Sequence, residues 1–223
     1  MKADHPISSI PPGLVAVLNA SENELLTAVS RKHNYYYAHC FTNTSSVCLV
    51  AHVDTEPRQL PLKLTINLSG HLHATNGILG ADDRAGVYII LKLLSSGLDV
   101  NVLFCNFEEF GGIGARKAYR ELDMRHIRFF MGLDFRGRME YAVYHPQPDW
   151  VHRLPLSFGY TKAKGTFTDI AVFEEKPSIN LSVGYTQNHT ANGSLDMDSM
   201  LQILDIMPRL IREAEAMVLQ QAV

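Results

Sequence analysis

The chain has 223 residues, of which 46% are apolar and 19% charged, and its formal net charge is −3. That length favours one domain spanning residues 1–223, and the composition is that of an ordinary globular protein. The slight acidity argues against a nucleic-acid groove or an anionic membrane as partner, and no apolar run is long enough to span a bilayer.

The amino-terminal stretch MKADHPISSIPPG lacks the apolar core of a signal peptide. At Ser21, with Glu24 three residues on, a capping box predicts the start of a helix. YYYAHCFT and SVCLVAHVD are strand candidates joined by the polar turn NTSS. LKLTINL places Leu62, Leu64, Ile66 and Leu68 at period two, a half-buried strand, and HLHATNG reads as its hairpin partner. DDRAGVYIILKLLSSG has helical periodicity and a stop at Gly97.

VNVLFCNF reads as a buried strand, GIGARKAYRELD as a helix, and IRFFMGLDF and SINLSVGY as two more strands. From about Asp196 to Gln220 an amphipathic helix is predicted, with Leu201, Leu204, Leu210, Ala214 and Met217 on its apolar face. Strands alternating with helices indicate an α/β fold. The expected form is a three-layer α/β/α sandwich on a mixed, mainly parallel sheet, with an antiparallel edge built by the first strands. Three cysteines, Cys40, Cys48 and Cys105, in apolar segments read as reduced thiols, and without a leader they indicate a cytoplasmic protein.

Charge interrupts the apolar runs at one recurrent place. CLVAHVD ends in His52 and Asp54, and GILGADD places Asp82 and Asp83 before a helix. LFCNFEE ends in Glu108 and Glu109, FFMGLD in Asp134, and His189 follows the last strand. Taken singly, each is an ordinary strand-end or helix-start polar group. The carboxyl ends of parallel strands, however, face one crevice. So many carboxylates gathered there with two histidines require compensation, and divalent cations supply it. Histidine with Asp and Glu ligands suits two zinc ions, with cobalt or manganese as alternatives, and a metal pair suits hydrolysis.

AHVDT, LGADDRAGV, NFEEFGGIGA, GLDFRG, GTFTDIAVF and NLSVGYTQNHT, in this order over roughly residues 47–205, resemble the co-catalytic two-zinc exopeptidases. That superfamily includes leucyl and glutamyl aminopeptidases, tripeptidases and glutamate carboxypeptidases. The resemblance implies that His52 and Asp134 are terminal ligands of one metal and Glu109 and His189 of the other. It implies that Asp82 bridges the two, Asp54 orients His52, Asp83 follows the bridging ligand and Glu108 is the general base. The activity implied is metallopeptidase hydrolysis, as an aminopeptidase releasing residues from short peptides. The base would take a proton from a water held by both metals and pass it to the leaving amine.

Asp134 and Thr168 are only 34 positions apart, which leaves no room for the lid or dimerisation domain that many members carry. HTANGSLD also lacks the acidic residue that often follows the family's histidine. Arg136 is open to two readings, a grip on a substrate carboxylate or a salt bridge supporting the site. Thr168 and Asp169 stand where the family has a loop near the substrate cleft, although a helix N-cap is the preferred reading of both. His71 and His73 are read as an exposed pair without a metal, Trp150 as a packed loop aromatic, and His5, His33, His39, His126, His145 and His152 are given no role. The expected partner is a small peptide, and a homo-oligomer stays open. The other functions carried forward are an amidase or deacylase, a glutaminyl-cyclase-like acyltransferase, and a non-catalytic metal-stabilised binding module.

Overall fold

The computed structural model describes residues 10–30, 33–42, 44–57 and 59–221. The side chain of Asp83, His5 and most of the stretch read for a leader lie outside the described residues. In chain order the first elements are α1 (Pro12–Asn19), α2 (Glu22–Val29), β1 (Tyr37–Cys40), β2 (Val47–His52), β3 (Leu64–Ile66), β4 (His71–Ala74) and α3 (Ala81–Ser95). Next come β5 (Asn101–Cys105), α4 (Ile113–Glu121), β6 (Phe129–Phe135), β7 (Glu140–Ala142), α5 (Asp149–Ser157) and β8 (Thr161–Lys162). A short 3-10 turn (Asp169–Val172), β9 (Ser178–Ser182), β10 (Tyr185–Thr186), β11 (Ser194–Asp196) and α6 (Met197–Gln220) complete the order.

The main sheet has the order β1-β5-β2-β6-β9-β7-β8. β5, β2, β6 and β9 run parallel, and β1 is the antiparallel edge. The parallel strands are buried on both faces, so their residues alternate between two cores. Val47, Leu49 and Ala51 of β2 face the larger core, with α1, α3, α5 and α6, while Cys48 and Val50 face the smaller one, with α4 and the 3-10 turn. The three-layer α/β/α arrangement expected from the sequence is therefore present, with unequal layers. No helix among the described residues is long and apolar enough to cross a membrane.

Several details differ from the sequence expectation. β1 and β2 are not neighbours, because β5 lies between them. The β3–β4 hairpin forms as expected but leaves the main sheet for a separate four-stranded one, ordered β10-β11-β4-β3. α1 has no side-chain cap and begins on a proline, so no capping signal marked it. Trp150 is buried as expected, though in α5 rather than a loop, with its ring 5.0 Å from Phe129. On α6, Leu201 is 43% exposed, and the buried stripe runs through Ile203, Met207, Leu210, Ala214 and Val218.

Two features place the site. α3 lies so close to β6 that a Cβ on Gly86 would meet the Leu133 carbonyl oxygen at 1.9 Å. This contact sets the amino end of α3, with Asp82, beside the carboxyl end of β6, with Asp134. At its other end α3 stops in a Schellman motif: Leu98 N–H donates to Leu93 O, Gly97 N–H donates to Leu94 O, and Gly97 has φ +81°.

Candidate active site

His52 ends β2, Glu108 and Glu109 follow β5, Asp134 lies at the end of β6, and His189 lies beyond β9 in the loop after β10. With Asp82 from α3, all of them line one cavity of about 490 Å³ at the carboxyl ends of the parallel strands. The successive strands β2 and β5 lie side by side, and the chain then passes over β2 to reach β6, which opens a crevice at that point.

The histidines mark two neighbouring groups. His52 Nε2 is 3.4 Å from Asp134 Oδ1. His189 Nε2 is 2.6 Å from Glu109 Oε1 and 2.9 Å from Asp82 Oδ2. Glu56, Glu109 and His189 also present ligand atoms within 4.8 Å of one another. Glu56 was not singled out from the sequence, where an exposed glutamate in a loop carries no signal.

Asp54 does not line the cavity. Its Oδ1 and Oδ2 accept from the backbone N–H groups of Glu108 and Glu109, each at 3.1 Å, and Oδ1 is 3.6 Å from His52 Nδ1. One carboxylate thus ties the exit of β2 to the turn after β5. Burial opposes its ionisation, but His52 and the two amides outweigh that effect and hold its carboxyl below the usual range.

The Glu108–Glu109 pair is not on an extended backbone. Phe107 adopts φ +66°, and Gly111 and Gly112 N–H groups fold back to Glu108 O at 2.8 and 3.0 Å. The pair therefore lies in a turn, and both glutamates line the same cavity. Left-handed backbone at a non-glycine residue is strained, and the rings of Tyr35, Tyr36 and Phe110 pack around Phe107 to hold it. His189 (φ +57°) and Gln187 (φ +52°) show the same conformation in the loop after β10.

The local field follows from this crowding. Burial pushes the Glu108 carboxyl up to about 8; Asp134, Asp169 and Glu109 add to the rise and His52 opposes it. Burial also raises Glu109, against the charges of His52 and His189. The hydrogen bond to Asp82 raises His189 to about 9, against burial and with help from the charges of Asp82 and Glu109. Carboxyls that resist ionisation, Glu108 and Glu109, beside a histidine that resists deprotonation, His189, form a donor set suited to divalent cations.

The structure separates Thr168 and Asp169 from the cavity. Both are buried, and neither makes a side-chain N-cap hydrogen bond for the short 3-10 turn. Thr168 Oγ1 instead donates to Asp134 Oδ2 at 2.7 Å. Asp169 lies in the smaller core beside Cys105, and burial lifts its carboxyl to about 7, assisted by Asp54 and Asp134 and opposed by His52 and the Cys105 thiol. Both residues thus lie behind the cavity wall rather than on it.

Arg136 is exposed on the cavity wall, with its guanidinium 6.0 Å from the Phe135 ring, and it enters no ion pair among the described residues. Among the described residues the supporting salt bridge considered for it is not formed. His71 Nε2 lies 3.7 Å from Asp196, and His73 pairs with Asn67 at 3.1 Å, so neighbours other than a metal account for both.

Asn180 was missed as a site residue. Buried in β9, it accepts from Asp134 N–H at 3.1 Å and donates to the Tyr144 hydroxyl at 3.0 Å. A Cβ on Gly132 would come within 2.8 Å of its Oδ1, so the glycine makes room for this contact. The signal available was a polar residue inside an otherwise apolar strand. Tyr144, Lys164, Phe167 and Tyr185 also line the cavity; none was singled out from the sequence, although Phe167 lies within GTFTDIAVF and Tyr185 within NLSVGYTQNHT.

No family model and no curated sequence matches this chain. Solved structures do match. The aminopeptidase PepT of Bacillus cereus superposes with a TM-score of 0.64 at 15% identity, over 90% of this chain and 95% of that one. A tripeptidase of Staphylococcus aureus gives 0.66 at 14% identity, over 89% and 96%. The TET1 peptidase of Pyrococcus horikoshii, which can assemble into a tetrahedron or a large octahedral shell, gives 0.60 at 11% identity, over 85% and 92%. At such identities the likeness establishes a shared fold.

Proposed function

We propose that this chain is a metal-dependent exopeptidase, a single catalytic unit that removes amino-terminal residues from short peptides. The observation that carries this reading is the convergence in one cavity of the His52–Asp134 and His189–Glu109–Asp82 groups with Glu108, whose carboxyl is raised to about 8. The fold shared with an aminopeptidase and a tripeptidase supports it.

In this proposal His52 and Asp134 would hold one divalent ion and His189 and Glu109 the other, with Asp82 as a ligand they would share. Zinc is the preferred metal on donor chemistry. The bound ions would supply Lewis acidity, polarising the scissile carbonyl and lowering the pKa of water. Glu108 accepts a proton from the attacking water and returns it to the departing amine nitrogen. Burial opposes the ionisation of Glu108, which favours a carboxylate that takes up a proton and then passes it on. Asp54 fixes the turn that aims Glu108, and Thr168 and Asn180 hold Asp134 in place.

A peptide library offered to chelator-treated protein reloaded with zinc, cobalt or manganese tests the reading. Metal-dependent release of free amino-terminal residues is the expected result. Hydrolysis confined to N-acyl substrates would identify a deacylase, pyroglutamate release from amino-terminal glutamine would identify a cyclase, and metal uptake without turnover would leave a binding module.

A further inference from the structure

A second cavity, of about 740 Å³, adjoins the first and shares Tyr144 and the segment 164–167 with it. Its charge is opposite. Arg116, Lys162 and Lys164 line it against one carboxylate, Glu174, whereas the first cavity carries Asp82, Glu108, Glu109 and Asp134. Lys162 and Lys164 are exposed and form no ion pair among the described residues. Arg116 is anchored at one end, its Nε donating to Gly111 O at 3.1 Å, on the turn that bears Glu108 and Glu109. Unneutralised cations gathered in a concave surface favour an anion there, and Lys164 lines both cavities.

We infer that the second cavity is a subsite for a carboxylate carried on the substrate beyond the scissile bond. This rests on the exopeptidase reading of the first cavity. A peptide with its amino end over the His52–His189 groups and its chain crossing residues 164–167 delivers a downstream carboxylate to Arg116, Lys162 and Lys164. Two sources offer that chemistry, the free carboxyl terminus of a short peptide and an acidic side chain.

The test uses metal-loaded protein and its Lys162→Glu and Lys162→Arg variants, since Lys162 lines only the second cavity. The substrates are Leu-Ala-Ala, its carboxyl amide, and the amides of Leu-Ala-Glu and Leu-Ala-Lys, with Leu-Ala and Leu-Ala-Ala-Ala to vary length. Peptides carrying a carboxylate should show the lower KM. Lys162→Glu should raise that KM by about fivefold with little change in kcat, which is on the order of one exposed ion pair. The amide of Leu-Ala-Ala should be unaffected, Lys162→Arg should behave as the parent, and raised salt should narrow the difference. A KM minimum at one peptide length identifies the carboxyl terminus as the source; preference for Leu-Ala-Glu amide over Leu-Ala-Ala identifies the side chain.

Equal KM for carboxylate and amide peptides, or an equal change for both in Lys162→Glu, overturns the subsite and leaves the peptidase standing. If no peptide is cleaved, the exopeptidase reading fails, and fluorescence anisotropy with labelled Leu-Ala-Glu decides the subsite separately. Salt-sensitive binding weakened by Lys162→Glu supports it; binding indifferent to that change, or none, overturns it.

Discussion

Asp134 carries one proposed metal contact, yet four other groups decide where it points: Thr168 Oγ1, Asn180 Oδ1, the Tyr185 hydroxyl and His52. Thr168→Val keeps the shape of the buried side chain and deletes the donor to Asp134 Oδ2. Loss of an outer hydrogen bond of this kind lowers metal affinity by about 10- to 100-fold. Equilibrium dialysis with zinc should show the lower part of that range, with far-UV circular dichroism unchanged. At this scale the sequence was partly legible. The groups His52, Asp82, Glu108, Glu109, Asp134 and His189 stood out because charge ended apolar runs, and they share one cavity. The groups behind them did not stand out. Asn180 and Thr168 act through contacts with a residue 46 and 34 positions away, which no local pattern encodes. The turn that carries Glu108 and Glu109 was not legible, because the left-handed step at Phe107, a bulky residue, has no residue signature.

Helix α3 is the element that brings Asp82 to the site, and its position depends on Gly86. Gly86→Ala would drive a methyl group into the Leu133 carbonyl and lift the helix from β6. The expected loss is about 3 kcal/mol or more, the upper part of the range for overpacking, measured by urea unfolding. Gly97→Ala is the contrast: nothing lies within 4 Å of its Cβ, so only the positive φ of +81° is penalised, at about 1 kcal/mol. Equal losses for the two variants would show that close packing on β6 does not position α3. Elements with strong caps or uniform apolar runs were legible, as α2 and the parallel strands show. Partners were not: the β3–β4 hairpin gave no sign of joining β11, because register with a strand some 120 residues later is a tertiary fact.

For the whole molecule, the crowded site predicts a direction of pH dependence. Glu108 is raised from 4.5 to about 8 and His189 from 6.5 to about 9, and Glu109 is raised as well. A group whose folded pKa is raised binds its proton more tightly when folded. Its contribution is complete below the unfolded pKa and is lost as pH rises through the folded one. Chelator-treated protein should therefore lose thermal stability across the window from 4.5 to about 9. Asp54, whose carboxyl is lowered, works oppositely, its contribution fading as pH falls below 3.8. Metal binding requires deprotonated ligands, so zinc should stabilise most at the alkaline end and flatten the profile. Melting temperatures at fixed ionic strength, with and without zinc, measure this, and a metal-free protein that gains stability from pH 5 to 9 would contradict it.

The central claim is that Glu108 moves the proton in a metal-dependent peptide hydrolysis. Its direct measurement is turnover of Leu-Ala-Ala by zinc-loaded protein and by Glu108→Gln, with metal content and melting temperature determined on the same samples. The account predicts release of leucine by the parent, abolished by chelation, and a rate at least about 100-fold lower in the variant at equal metal content. Undiminished leucine release by Glu108→Gln, or none from the fully loaded parent, would contradict it.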